Sequence, residues 1–163
     1  MQNKMEGKVE SLQKEQIVQI GFLVKDIRKT AKKWAEFLGV EMPEISMTGK
    51  YEETHAVYRG EPCNGQIYQV CFDLANIQIE FIEPIGEEPS YWKECLDRDG
   101  EGLHHIAFRT ESCEKDLADL ESQGYPAVQQ GEWKEEPKNG RYAYLDMQDS
   151  LKCIIELVGH VGE

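Results

Sequence analysis

Gly102-Leu103-His104-His105-Ile106-Ala107-Phe108 is the stretch whose reading decides the fold. It follows a charged connector, Glu94 to Glu101, and it alternates. Leu103, His105 and Ala107 are expected on one face of a strand, and His104, Ile106 and Phe108 on the other. An earlier stretch, Gln19-Ile20-Gly21-Phe22, matches it. With Gln19 on His105, Ile20 falls on Ile106, Gly21 on Ala107 and Phe22 on Phe108. Each strand leads into a helical pattern of similar length, ending near Gly39 and Gly124. The ends of the two halves also correspond, Ile79-Glu80-Phe81-Ile82 against Ile155-Glu156-Leu157-Val158. The chain reads as two copies of one unit, each with a metal-competent side chain on its first strand and a carboxylate on its last.

The intervening residues fill in each copy. In the first, Asp26 suits a helix N-cap, Ile27, Ala31, Trp34 and Leu38 recur on one helical face, and Gly39 ends the helix. The opposite face carries Arg28, Lys29, Lys32 and Lys33. Strands are predicted over 17–24, 40–47, 55–58, 67–74 and 77–82. In the second copy a helix is predicted over 112–123 and strands over 128–133, 142–147 and 151–158. The expected organisation is a polar lead-in at 1–15, a βαβββ unit at 16–84, a linker with a short helix bearing Trp92 at 85–101, and a second βαβββ unit at 102–160. The fold class is α+β, the two units pairing into a barrel-like curved sheet around a shared concavity.

Composition narrows the function. Of 163 residues, 40% are hydrophobic, enough for a packed core. The net charge of −13 argues against a nucleic-acid partner, whose affinity rests on neutralising phosphates. An anionic small molecule stays compatible, because a local basic patch such as the helix face above can meet phosphates. The five cysteines form no C-x-x-C pair and are expected as reduced thiols. No apolar run is long enough to span a membrane, and Met1-Gln2-Asn3-Lys4-Met5-Glu6 leads into no signal-peptide core. A soluble cytoplasmic chain is expected.

Gln19, Glu80, His105 and Glu156 occupy corresponding strands of the two copies, so a pseudo-twofold axis would bring them together. One imidazole nitrogen and three oxygens suit zinc, cobalt, nickel, manganese or iron(II), not a thiolate-selective site. Two carboxylates would neutralise a divalent cation. Strand alternation places His104 on the opposite face, in a structural role.

These residues resemble the vicinal oxygen chelate superfamily, also called the glyoxalase and bleomycin-resistance superfamily, over roughly 17–159. Ile79-Glu80-Phe81-Ile82-Glu83-Pro84 and Gly102-Leu103-His104-His105-Ile106-Ala107 resemble its methylmalonyl-CoA epimerases in particular. In that branch the second histidine of the pair is the ligand, which implies His105, and the closing glutamate, here Glu156, is ligand and base. Those epimerases usually have histidine where this chain has Gln19; the set Gln, Glu, His, Glu instead resembles zinc glyoxalase I. That enzyme carries an arginine for glutathione where this chain has Leu23. Gln19 also breaks the two-histidine, one-glutamate triad of the ring-cleaving dioxygenases. The resemblance implies a metal-dependent epimerase acting α to a thioester carbonyl, with Glu80 and Glu156 as catalytic groups, an acyl-CoA as substrate and a homodimer as assembly. Its alternatives are a glyoxalase-I-type lyase, or a binding protein whose cleft is lined by Tyr68, Trp92, Trp133, Tyr142 and Tyr144.

Overall fold

A computed structural model describes residues 12–162; most of the charged lead-in lies outside the described residues. The elements run β1 (Leu12–Leu23), α1 (Ile27–Leu38), β2 (Ser46–Met47), α2 (Tyr51–Thr54), β3 (Val57–Tyr58), β4 (Glu61–Pro62), β5 (Gln66–Asp73) and β6 (Gln78–Ile85). They continue with α3 (Tyr91–Asp99), β7 (Gly102–Thr110), α4 (Cys113–Ser122), β8 (Ala127–Trp133), β9 (Gly140–Met147), α5 (Gln148–Leu151) and β10 (Cys153–His160). All ten strands form one curled sheet in the order β2-β5-β6-β1-β7-β10-β9-β8-β3-β4.

Strand register displays the internal repeat. The offset that places Gln19 on His105 is 105 − 19 = 86 residues. β1 and β7 pair antiparallel with Ile20 opposite Ile106, Gln19 opposite Ala107 and Gly21 opposite His105. Applying the offset exchanges the last two pairs, so the pseudo-twofold axis passes through Ile20 and Ile106. The parallel pairs obey the same rule: Gly21 stands beside Glu80, and Ala107 beside Glu156.

Alternation along each strand sends one set of side chains to the helices and the other into the concavity. Val70, Phe72, Ile79 and Phe81 pack under α1 with Ile27, Ala31 and Ala35. Burying each large apolar side chain contributes roughly 1.5–3 kcal/mol. Asp26 caps α1 by accepting from the Lys29 N–H at 3.0 Å, and Gly39 closes it in the left-handed conformation. α4 covers the second unit in the same way, over Ala143, Leu145, Ile155 and Leu157. α3 lies across one end of the concavity, where Tyr91, Trp92 and Cys95 pack on Leu23, Ile67, Ile82 and Ile154. Ser90 caps it, and its first N–H bonds the buried Gln129 side chain at 2.7 Å.

Several boundaries differ from the sequence-based expectation. β1 starts at Leu12, inside the stretch read as lead-in, because ladder pairing of Leu12 with Thr110 needs no apolar periodicity. β6 runs on to Ile85, held opposite Gln66 and Ile67. The strand expected over 40–47 shrinks to Ser46–Met47, and Val40 and Met42 are exposed. The β3–β4 hairpin leaves its own unit and pairs with β8 of the other, extending that edge of the sheet. All five cysteines are unpaired. Among the described residues no helix is long and apolar enough to cross a membrane.

Candidate functional site

The site is built on a β-bulge. Gly21 pairs with His105, but the next pair is Phe22 with Leu103, so His104 is the extra residue on β7. A bulge of this kind re-aims side chains, and here both imidazoles turn inward. Their Nδ1 atoms stand 3.0 Å apart, and both rings are buried. The alternation that would put His104 on the opposite face is therefore corrected. His104 packs edge-on to Tyr144 and Tyr91 on the concave side.

Three side chains close on the other nitrogen of His105. Its Nε2 lies 2.9 Å from Gln19 Oε1, 3.0 Å from Glu156 Oε2 and 3.6 Å from Glu80 Oε2. The four residues singled out in the sequence thus meet, although Gln19 and His105 are 86 positions apart. The orientation of the Gln19 amide has a cause. Its Nε2 donates to Gln78 Oε1 at 2.6 Å, and Gln78 Nε2 donates to Asp73 Oδ1 at 2.7 Å. That chain leaves the Gln19 oxygen facing the imidazole. Sequence reading missed Gln78 and Asp73, whose only signal is that Gln78 is the register neighbour of Gln19.

The electrostatics follow from burial. Glu80 and Glu156 are buried beside a single imidazole. Loss of solvation pushes the Glu80 carboxyl up to about 7, opposed by His105 and reinforced by Glu156. Burial alone would lower His105, but the Glu156 charge and hydrogen bond, with Glu80, raise it on balance. His104 is held well below the ordinary histidine range, first by burial, then by the charge on His105 and by Arg98. With His105 charged and His104 neutral, His104 Nδ1 accepts the His105 Nδ1–H, and the Nε2–H of His105 faces the carboxylates. Cys71, on the cavity wall beside Glu80, is pushed up by burial and by that charge, so it is no thiolate donor near neutrality.

The donors fit a divalent cation in kind and in charge. Ligands ~2.1 Å from a shared centre stand about 3.0–3.4 Å from one another, close to the separations around Nε2. Glu156 Oε2 is also a buried oxygen whose polar contact is with His105 Nε2. Among the described residues no three His, Cys, Asp or Glu side chains by themselves surround a common point at metal-holding distance. The carboxylates and the Gln19 amide close on the imidazole nitrogen itself, whose proton meets the same demand for positive charge.

A cavity of about 520 Å³ opens onto Gln19, Glu80 and Glu156, with Trp92, Tyr142 and Tyr144 on its wall. Trp92 Nε1 donates to the Tyr144 hydroxyl at 3.1 Å, fixing this aromatic wall. Of the aromatic residues expected there, Trp133 also lines the cavity but Tyr68 does not. Tyr68 shares the face of Val70 and Phe72, which turns to α1. The basic face of α1 lies on that outer side too, so Arg28, Lys29, Lys32 and Lys33 do not line the cavity.

Residues 18–144 match the family described as the Glyoxalase/Bleomycin resistance protein/Dioxygenase superfamily. Similar solved structures include the methylmalonyl-CoA epimerase of Mycobacterium tuberculosis, 19% identical, with a TM-score of 0.59 over 88% of this chain and 87% of that one. A single-residue variant of the Streptomyces coelicolor methylmalonyl-CoA epimerase, in complex with 2-nitronate-propionyl-CoA, is 22% identical, with a TM-score of 0.60 over 90% and 95%. A hypothetical protein from Bacillus halodurans is 18% identical, with a TM-score of 0.57 over 91% and 96%. No curated protein matches the chain. At these identities the structural likeness speaks for the fold. With a family match across more than three quarters of its length, this chain belongs to the glyoxalase/bleomycin resistance protein/dioxygenase superfamily.

Proposed function

We propose that this chain is a divalent-metal-dependent isomerase that removes the proton α to a thioester carbonyl, in the manner of a methylmalonyl-CoA epimerase. The observation that carries the reading is the convergence of Gln19, Glu80 and Glu156 on His105 Nε2 at the wall of one cavity. Those four residues would hold the cation, which would stabilise the negative charge that develops on the carbonyl oxygen.

The chain's own groups supply the proton chemistry. Glu80 on β6 and Glu156 on β10 are related by the pseudo-twofold axis and approach the centre from different units. One carboxylate takes the α-proton on one face of the substrate, and the other returns a proton on the opposite face. An ordinary glutamate, with a pKa near 4.3, is a weak base; burial shifts Glu80 in the direction the task needs. General base catalysis of this kind contributes about 10²–10⁴-fold. Trp92, Tyr142 and Tyr144 form an aromatic wall beside the centre.

A second reading is favoured by Gln19. An amide oxygen in place of the epimerases' usual histidine gives the ligand order of glyoxalase I, which shares the same proton-abstraction step on a hemithioacetal. In either case a homodimer and a cytoplasmic setting belong to the proposal.

The test begins with metal. Protein purified without a tag or added metal, wild type beside His105→Ala, is assayed for bound metal by mass spectrometry. It is then assayed by NMR for exchange of the α-proton of methylmalonyl-CoA into deuterated water, with the glutathione–methylglyoxal hemithioacetal in parallel. Near-stoichiometric divalent metal and exchange, both lost in the variant, support the proposal, and the preferred substrate separates its two forms. No metal after incubation with zinc, cobalt and nickel, and no exchange, would sink it in favour of a binding protein.

A further inference from the structure

The cavity carries a cation that the proton chemistry at its centre does not use. Among the described residues its wall includes five carboxylates, Asp73, Glu80, Glu132, Glu135 and Glu156, and one Lys or Arg, Arg109. Arg109 lies on β7 on the same face as His105 and Ala107, beside Val158 of β10. Among the described residues its side chain makes no hydrogen bond or ion pair. The carboxylates nearest the centre are committed elsewhere: Glu80 and Glu156 to His105, and Asp73 to Gln78. In a chain of net charge −13, an unpaired guanidinium facing into an acidic cavity is an unmatched donor.

The pseudo-twofold axis places it. Subtracting the offset, 109 − 86 = 23, makes Leu23 its counterpart at the other end of the concavity. Leu23 is sealed under α3 by Tyr91 and Trp92. Arg109 is exposed. The concavity thus has one closed, apolar end and one open end that presents five N–H donors in a planar fork. Four steps along the strand lead from His105 to Arg109, ~13 Å between backbones. A guanidinium at that remove meets a ligand group set several bonds away from the reacting carbon.

We propose that Arg109 is an anion subsite, holding a phosphate or carboxylate of the substrate at a distance from the reacting carbon. The inference rests on the thioester reading and names the part of the substrate held at the open end. A planar guanidinium grips either group bidentately. Binding energy gathered there is available to position the acyl group at the centre.

The experiment is calorimetric titration of wild type, Arg109→Lys and Arg109→Ala, first checked for equal thermal stability. The probes are methylmalonyl-CoA, the methylmalonyl thioester of N-acetylcysteamine, which lacks every phosphate, and the propionyl thioester of N-acetylcysteamine, which lacks the carboxylate as well. Arg109→Ala is expected to weaken at least one anionic probe about tenfold or more, with partial recovery in Arg109→Lys and no change for the propionyl probe. A loss confined to the CoA ester identifies a phosphate; a loss shared with the methylmalonyl N-acetylcysteamine ester identifies the carboxylate. Equal affinities of wild type and Arg109→Ala for both anionic probes would overturn the subsite. Wild type that binds no thioester at all sinks the thioester reading. Arg109 is then judged on inorganic pyrophosphate and methylmalonate, where binding that does not depend on it overturns the subsite.

Discussion

The His105 imidazole lies across Gly21. A Cβ built on Gly21 would stand 2.5 Å from Nδ1 and 2.6 Å from Nε2 of that ring. The two residues are register partners across β1 and β7, and the absence of a side chain on one makes room for the ring of the other. Gly21→Ala must displace the ring or the strand. It is expected to cost ~1–3 kcal/mol by overpacking and to lower zinc affinity more than Gly131→Ala, whose crowding falls on Tyr142 instead. Urea unfolding and zinc titration on both variants check this. Unchanged zinc affinity in Gly21→Ala would show that ring placement does not depend on Gly21.

His104 acts through His105. The Nδ1-to-Nδ1 contact of 3.0 Å requires one proton between the rings, and with His105 charged and His104 neutral that proton belongs to His105. His104→Ala removes the acceptor and frees the ring. A drop in zinc affinity of about 10–100-fold is expected, the usual effect of losing a ligand's outer hydrogen-bond partner. Nitrogen-15 NMR of the labelled histidines should show a shifted His105 Nδ1–H signal. Intact affinity with an unchanged signal would make His104 a packing residue only.

Glu80 carries a pH signature with a definite sign. Burial raises its folded-state pKa to about 7, so between its unfolded value and that point the folded protein holds the extra proton. In chelator-treated protein this group's contribution to stability falls as pH rises from about 4.5 to about 7. Glu80→Gln removes the liability. The chelated variant should match wild type at pH 4.5 and exceed it at pH 8, by on the order of 1–3 kcal/mol. With saturating zinc the order should reverse, because the variant loses a charged ligand. Urea unfolding at both pH values, with and without zinc, reads all four combinations.

The basic face of α1 sits on the outer side of the sheet from the cavity. Charge reversal of Lys29, Lys32 and Lys33 to Glu together is therefore expected to leave methylmalonyl-CoA affinity within about twofold at 0.15 M salt, where screening acts over ~8 Å. A tenfold loss by calorimetry would return the phosphates to that helix.

Much of this molecule was legible in the chain. The correspondence of Gln19 with His105, and that of the Glu80 segment with the Glu156 segment, are covalent patterns, so the α+β class and the four side chains that meet were readable from them. The Asp26 cap and Gly39 stop of α1 are local chemistry and are equally readable. Three things needed the tertiary structure. His104 changes face through a bulge, and a bulge arises from how two distant strands pair, not from the alternation of either. The direction of the Gln19 amide depends on Gln78 and Asp73, which touch it only because β1 and β6 lie side by side. Arg109 and the α1 lysines look alike as basic residues in a sequence. Sheet curvature turns one into the concavity and leaves the others on the outside, because a curled sheet has an inner and an outer face that no stretch of chain records.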